Sequence, residues 1–174
     1  MPVNIPPNDP AEKLLLRASP GDLEKFWDLM TEIPVPVGTI ADRLGLDVFS
    51  ITLDPNISGS IRRVGTAKYE IQINDTDAPV RQRFTVCHEI AHYLLHRSHI
   101  DAVGIEDNIL YRSQLSNIQE AEANRFAAAL LLPWRAVNDW HIEQFGRDVD
   151  RSNLRIIAEK FRASDLAVGY RFGI

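Results

Sequence analysis

Apolar positions along the chain change period twice, which divides it into a helical opening, a short run of strands and a helical remainder. Leu23, Phe26, Trp27 and Met30 recur at helical spacing behind Ser19-Pro20-Gly21-Asp22. That quartet supplies the serine cap, first-turn proline and early acid of a helix start. Pro34 and Pro36 interrupt the pattern, and a short helix is predicted around Thr39 to Leu44, with Ile40, Ala41 and Leu44 on one face and Gly45 at its end. The period then falls to two. In Ala67 to Asn74, Tyr69, Ile71 and Ile73 alternate with Lys68, Glu70 and Gln72, the signature of a half-buried strand. Leu46 to Leu53 and Ser60 to Val64 are weaker strands separated by the turn-forming Asp54-Pro55-Asn56 and Ser58-Gly59. Together they predict a small antiparallel sheet of about three strands over residues 46–74.

From Val80 the period is helical again, and a helix is predicted over residues 79–97. Ser98 to Leu115 shows no steady period and reads as a long loop. Ser116-Asn117-Ile118-Gln119 matches a capping box, so a helix should run over 117–132 and stop before Pro133. Pro133 can open another helix that ends near Gly146, Ser152 can cap a stretch with Leu154, Ile157, Ala158 and Phe161, and Ser164 a last short helix. The expected fold is therefore α+β. It is a mainly helical single domain over residues 11–174, its small sheet packed against the 79–97 helix, after a flexible lead-in at residues 1–10.

Composition narrows the function classes. A chain of 174 residues supports one ordinary core, and 45% apolar with 25% charged residues is the balance of a soluble globular protein. No segment approaches the roughly twenty unbroken apolar residues of a membrane span. The opening MPVNIPPNDP has neither the basic region nor the apolar stretch of a secretory leader, so a cytoplasmic protein is expected. A single cysteine, Cys87, excludes an internal disulfide. The net charge of −5 gives no general attraction for nucleic acid or an acidic membrane.

The chemistry lies in the 79–97 helix, where His88-Glu89-Ile90-Ala91-His92 has the form HExxH. Residues four apart on a helix lie about 40° apart around the axis and about 6 Å along it, so His88 and His92 can converge on one ion. Glu89 then sits beside the ion, where its carboxylate can take a proton from metal-bound water and later deliver it to a leaving amine. Chance alone can produce this spacing on an ordinary amphipathic helix. The flanking Ala91, Leu94 and Leu95 argue for the metal site, because a solvated face would not need apolar surroundings. A catalytic zinc needs a third protein ligand and an open fourth position. His96 shares the face but lies about 12 Å along the axis from His88, too far to meet the same ion. His99 and His141 remain open on sequence alone. In the 117–132 helix, Ala123, Phe126, Ala127 and Leu130 define a buried face; Glu120 falls about 50° from its centre and Glu122 about 110° away, toward solvent. Glu120 is thus the preferred third ligand, and one zinc ion per chain is expected.

These residues resemble the ImmA/IrrE family of metallopeptidases. The resemblance rests on Arg83-Phe84-Thr85 before His88-Glu89-Ile90-Ala91-His92-Tyr93-Leu94-Leu95-His96, then on Glu120, Ala123-Asn124, Phe126-Ala127, Leu130-Leu131 and Pro133. It continues upstream in Pro36-Val37, Ile40-Ala41, Leu44-Gly45, Ser58-Gly59-Ser60-Ile61 and Ile71-Gln72-Ile73-Asn74, and downstream in Ala158-Glu159-Lys160-Phe161 and Tyr170-Arg171. It implies zinc ligation by His88, His92 and Glu120, with Glu89 as catalytic acid and base. It also implies a partner substrate, a helix-turn-helix transcriptional repressor or antitoxin cleaved at one site in stress, mobile-element or phage-defence regulation. Cys87 stands where the family commonly has alanine, and it reads either as a small core residue or as a thiol near the metal. Tyr93, His99, Tyr111 and His141 are the sequence's choices for an oxyanion donor.

Two other classes compete. One keeps the zinc without catalysis, as a partner-binding component of a toxin–antitoxin-like pair. The other is a DNA-binding module built on Leu154 to Phe172 with Arg155, Lys160, Arg162 and Arg171; Glu159 and Asp165 dilute that positive stripe, and no direct nucleic-acid binding is expected.

Overall fold

Tyr69, Ile71 and Ile73 form the buried side of the central strand, and the sheet assembles on them as their alternation requires. The computed structural model describes residues 9–103 and 116–173. Strands β1 (Leu46–Ile51), β2 (Gly59–Gly65) and β3 (Lys68–Asn74) lie in the order β1-β3-β2. β2 and β3 pair antiparallel through a tight turn, with Ile61 opposite Ile71. β1 pairs parallel to β3, Leu46 opposite Tyr69, so the sheet is mixed and not antiparallel throughout. Alternation fixes which face a strand buries and carries no information about its direction. Direction follows from the connection, which here carries the chain past β3 before β2 turns back onto it.

Before the sheet come α1 (Pro10–Leu15), α2 (Pro20–Glu24) and α3 (Val37–Leu44). Ser19 caps α2 by accepting from the Asp22 amide, but the helix ends at Glu24 and resumes as a 3-10 turn over Trp27–Thr31, so the apolar face expected as one helix is split between two. Gly45 closes α3 with φ of 77°, a left-handed conformation that suits glycine.

Helix α4 (Pro79–Leu95) lies on β2 and β3 and buries Val86, Cys87, Ile90 and Ala91. Its approach depends on Gly59, where an added Cβ would stand 2.4 Å from Thr85 Cγ2 and 2.7 Å from the Gln72 carbonyl oxygen. The short helix α5 (Arg97–Val103) takes up the first part of the loop expected from Ser98. Seven residues are too few for a period to declare itself, and the helix is held by tertiary contacts: Ile100 is buried, and Asp101 accepts a 2.6 Å hydrogen bond from the Tyr69 hydroxyl. The remainder of that loop lies outside the described residues, as do residues 1–8 of the lead-in.

Helix α6 (Asn117–Leu131) begins at the expected capping box, Ser116 and Gln119 exchanging side-chain and backbone hydrogen bonds. It packs lengthwise against α4, with α1 on its other flank. α7 (Trp134–Phe145), α8 (Leu154–Phe161) and α9 (Asp165–Phe172) close the fold. The two ends of the described chain are clasped. Arg171, nearly fully buried on α9, pairs with Asp9 and Glu12 at 2.6 Å each and donates to the Leu132 carbonyl oxygen, while Glu12 accepts from the Trp134 amide. Among the described residues no helix is long and apolar enough to cross a membrane.

Candidate metal centre

The pairing of α4 with α6 brings the motif to its third partner. His88 and His92, one turn apart, point their Nε2 atoms at the same space and lie 2.9 Å from one another there. Glu120, in the first turn of α6, reaches in with Oε2 3.3 Å from His88 Nε2 and Oε1 3.5 Å from His92 Nε2. A tetrahedral zinc with bonds of 2.0–2.1 Å holds its ligand atoms about 3.3–3.4 Å apart, and the three separations straddle that value. Two imidazole nitrogens and a carboxylate are also the donor set zinc takes in hydrolytic sites. Among the described residues, His88, His92 and Glu120 are the group whose donor atoms lie close enough together, within 4.8 Å, to hold an ion.

The electrostatics fit a cation. Hydrogen bonds to His88 and then His92 hold the Glu120 carboxyl well below the usual carboxylate range, so it is fully ionised. Burial favours the neutral form of His88. The hydrogen bond to Glu120 and the charges of Glu89 and Glu120 outweigh it and raise the pKa, so the pocket attracts positive charge at His88. His88 Nδ1–H donates to Asn124 Oδ1 at 3.0 Å, which leaves Nε2 as the lone-pair nitrogen facing the group.

Glu89 is buried and is not one of the three converging donors, yet it lines a cleft of about 780 Å³ that His88 also lines. The cleft wall is largely apolar, with Val80, Phe84, Leu166 and Tyr170, and Arg81 and Asn124 add polar groups. A carboxylate beside the donor group, on the wall of a cleft wide enough for a peptide, is placed to exchange protons with a molecule lying there. Leu166 and Tyr170 belong to α9, nearly eighty residues beyond the motif. Sequence reasoning missed both, and only their unusual exposure on an amphipathic helix signals them.

The remaining sequence choices fall elsewhere. His96 is not a ligand; its Nδ1 contacts His92 Nδ1 at 3.1 Å from behind. Glu122, expected to face solvent, is less exposed than Glu120, at 23% against 42% of its side chain, because α6 has neighbours on both flanks and Glu122 points to the one formed by the α1 region. His99 lies beside the Gln119 side chain, and His141 is buried, donating from Nδ1 to the Arg147 carbonyl oxygen. Tyr93 is buried against the Tyr69 ring with the Arg97 guanidinium over it. None of these three lines the cleft, and Tyr111 lies outside the described residues. Cys87 is fully buried, and its desolvated thiol is pushed up to about 12, the behaviour of a core residue. In the α8–α9 region Arg171 is consumed by its buried ion pairs and Arg155 pairs with Glu159.

Residues 41–172, about three quarters of the chain, match the family model for peptidase M78, described as the IrrE N-terminal-like domain. Comparison with curated proteins gives no match. Among solved structures, a transcriptional regulator of Mycobacterium tuberculosis superposes with a TM-score of 0.59 at 18% identity, a likeness of fold. The match covers 93% of this chain and 46% of that one, so this chain spans less than half the length of that relative.

Proposed function

Because the chain belongs to the peptidase M78 family of IrrE N-terminal-like domains, we propose that it is a zinc-dependent endopeptidase with His88, His92 and Glu120 as ligands and Glu89 as general base and acid. The observation that carries this reading is the convergence of the three donor atoms on one point beside a cleft that Glu89 lines. A zinc ion held there supplies Lewis acidity to a peptide carbonyl and makes water a nucleophile near neutral pH. The chain's own residues supply the rest. Glu89 takes the proton of the attacking water as its oxygen bonds to the carbonyl carbon, and returns it to the amide nitrogen as the C–N bond breaks. Asn124 fixes the ring of His88, and the apolar wall formed by Val80, Phe84 and Leu166 holds the peptide and displaces water from it.

The proposed substrate is a partner helix-turn-helix repressor or antitoxin in the cytoplasm, cleaved at one site. Family membership supports it, and the fold shared with a transcriptional regulator suits a setting in gene control. The experiment is metal analysis of the purified protein followed by incubation with the candidate repressor. About one zinc per chain is expected, lost in His92→Ala and Glu120→Ala and kept in Glu89→Gln, with cleavage by wild type only. Wild-type protein that takes up no zinc on reconstitution overturns the peptidase reading. Zinc with an unchanged cellular phenotype in Glu89→Gln replaces it with the non-catalytic partner-binding role.

A further inference from the structure

A second line of polar side chains runs behind the donor group, away from the cleft. His92 Nδ1 lies 3.1 Å from His96 Nδ1, and His96 Nε2 lies 3.1 Å from Glu122 Oε2. The other carboxylate oxygen of Glu122 forms an ion pair with Arg17, in the segment just after α1. His92 and His96 are both buried, at 1% and 4% exposure. A neutral imidazole carries one N–H and one lone pair, and a carboxylate only accepts, so the hydrogens along this line can be assigned by accounting. Glu122, paired with Arg17, accepts from His96 Nε2–H. His96 Nδ1 is then a lone pair and must receive the hydrogen of the 3.1 Å contact from His92 Nδ1–H. That leaves the lone pair of His92 on Nε2, facing His88 and Glu120. Reversing any one step moves the His92 proton onto the nitrogen that has to bind.

We propose that His96 and Glu122 are positioning residues that, anchored by Arg17, fix the tautomer and ring angle of His92 and thereby set the zinc affinity of the site. The inference rests on the metal reading above and adds residues to it. It also brings in Arg17, which precedes the matched segment 41–172, so the N-terminal part of this chain contributes to the site. The two ligand histidines are held differently: His88 by a neutral amide from α6, His92 by a histidine–carboxylate–arginine chain joining α4, α6 and the α1 region. Partners of this kind are worth about 10–100-fold in metal affinity where they have been removed from other sites.

The test measures zinc dissociation constants by chelator competition on the full chain, with unfolding of the metal-free protein followed in parallel. His96→Phe is expected to weaken zinc about 10–100-fold, and His96→Asn, whose amide oxygen can accept from His92 Nδ1–H, to recover most of that loss. Glu122→Gln keeps an acceptor for His96 and is expected to stay within about threefold of wild type, while Glu122→Leu weakens zinc about tenfold. The cobalt-substituted protein provides the signature that a merely structural role would not move: a changed visible spectrum in His96→Phe, restored in His96→Asn. Wild-type zinc affinity in His96→Phe, or a loss that His96→Asn fails to recover, overturns the relay and leaves the metal site standing. If His96→Phe does not fold, Glu122→Leu decides, and an unchanged affinity there overturns it. Loss of zinc in Glu122→Gln as complete as in Glu120→Ala would make Glu122 a ligand and end the assignment. A wild-type protein that binds no zinc removes both the relay and the reading beneath it.

Discussion

His88 and His92 come from one helix and one motif, yet they occupy different surroundings. His88 stands on the cleft wall with 16% of its side chain exposed and a single amide behind it; His92 is sealed at 2% and backed by His96, Glu122 and Arg17. The difference follows from one turn of helix. At 88, α4 has reached the apolar cleft between β2 and α9, whereas at 92 it is buried, with His96 behind the ring and Glu122 of α6 behind His96. The proposed hydrolytic role needs both conditions, an open side for a peptide and a rigid side that keeps ligand lone pairs aimed, and adjacent turns of a single helix would divide the two.

The sharpest way to break this comparison is to remove each histidine in turn. His88→Ala and His92→Ala should both abolish zinc uptake by metal analysis, but His92→Ala should also lower the unfolding midpoint in urea by more, since it leaves a cavity and strips the buried His96 Nδ1 of its partner. Equal loss of stability in the two variants would show that the sealed side is no more demanding than the open one. Next, if the proposed repressor is the substrate, Glu89→Gln should reduce its cleavage by about 10²–10⁴ in kcat with zinc content unchanged. Loss of zinc in that variant would make Glu89 part of the ligand shell.

Gly59→Ala probes the seat of α4 on the sheet. Its new Cβ would overlap Thr85 Cγ2 and the Gln72 carbonyl, with an expected cost of about 1–3 kcal/mol in urea unfolding. Asn124→Ala removes the hydrogen-bond partner of His88 Nδ1 and should weaken zinc about tenfold by chelator competition. An effect there as large as that of His96→Phe would erase the distinction between the two sides. The smallest effect belongs to Cys87: with the thiol sealed and pushed up to about 12, thiol reagents at pH 8 should leave the native protein unlabelled and label it once urea unfolds it.

The sequence by itself determined the helices with strong caps and faces, the alternation of β3, and the grouping of His88 and His92 with Glu120. These are local matters: a capping box at Ser116 and Gln119 or a pair of histidines four apart is decided within one or two turns of chain. Even Glu120 was legible, because its angle to the face of Ala123, Phe126 and Ala127 follows from helical geometry alone. What only the tertiary structure decided involves a partner far along the chain. The direction of β1 depends on a connection and not on a period, and α5 exists because Tyr69 and the core hold it. Glu122 turned inward because Arg17, 105 residues earlier, lies on the second flank of α6, a flank that no calculation on one helix contains. The cleft wall of Leu166 and Tyr170 arrives from the last helix for the same reason. A single sequence records what each segment prefers, and burial between distant segments chooses which of those preferences meet.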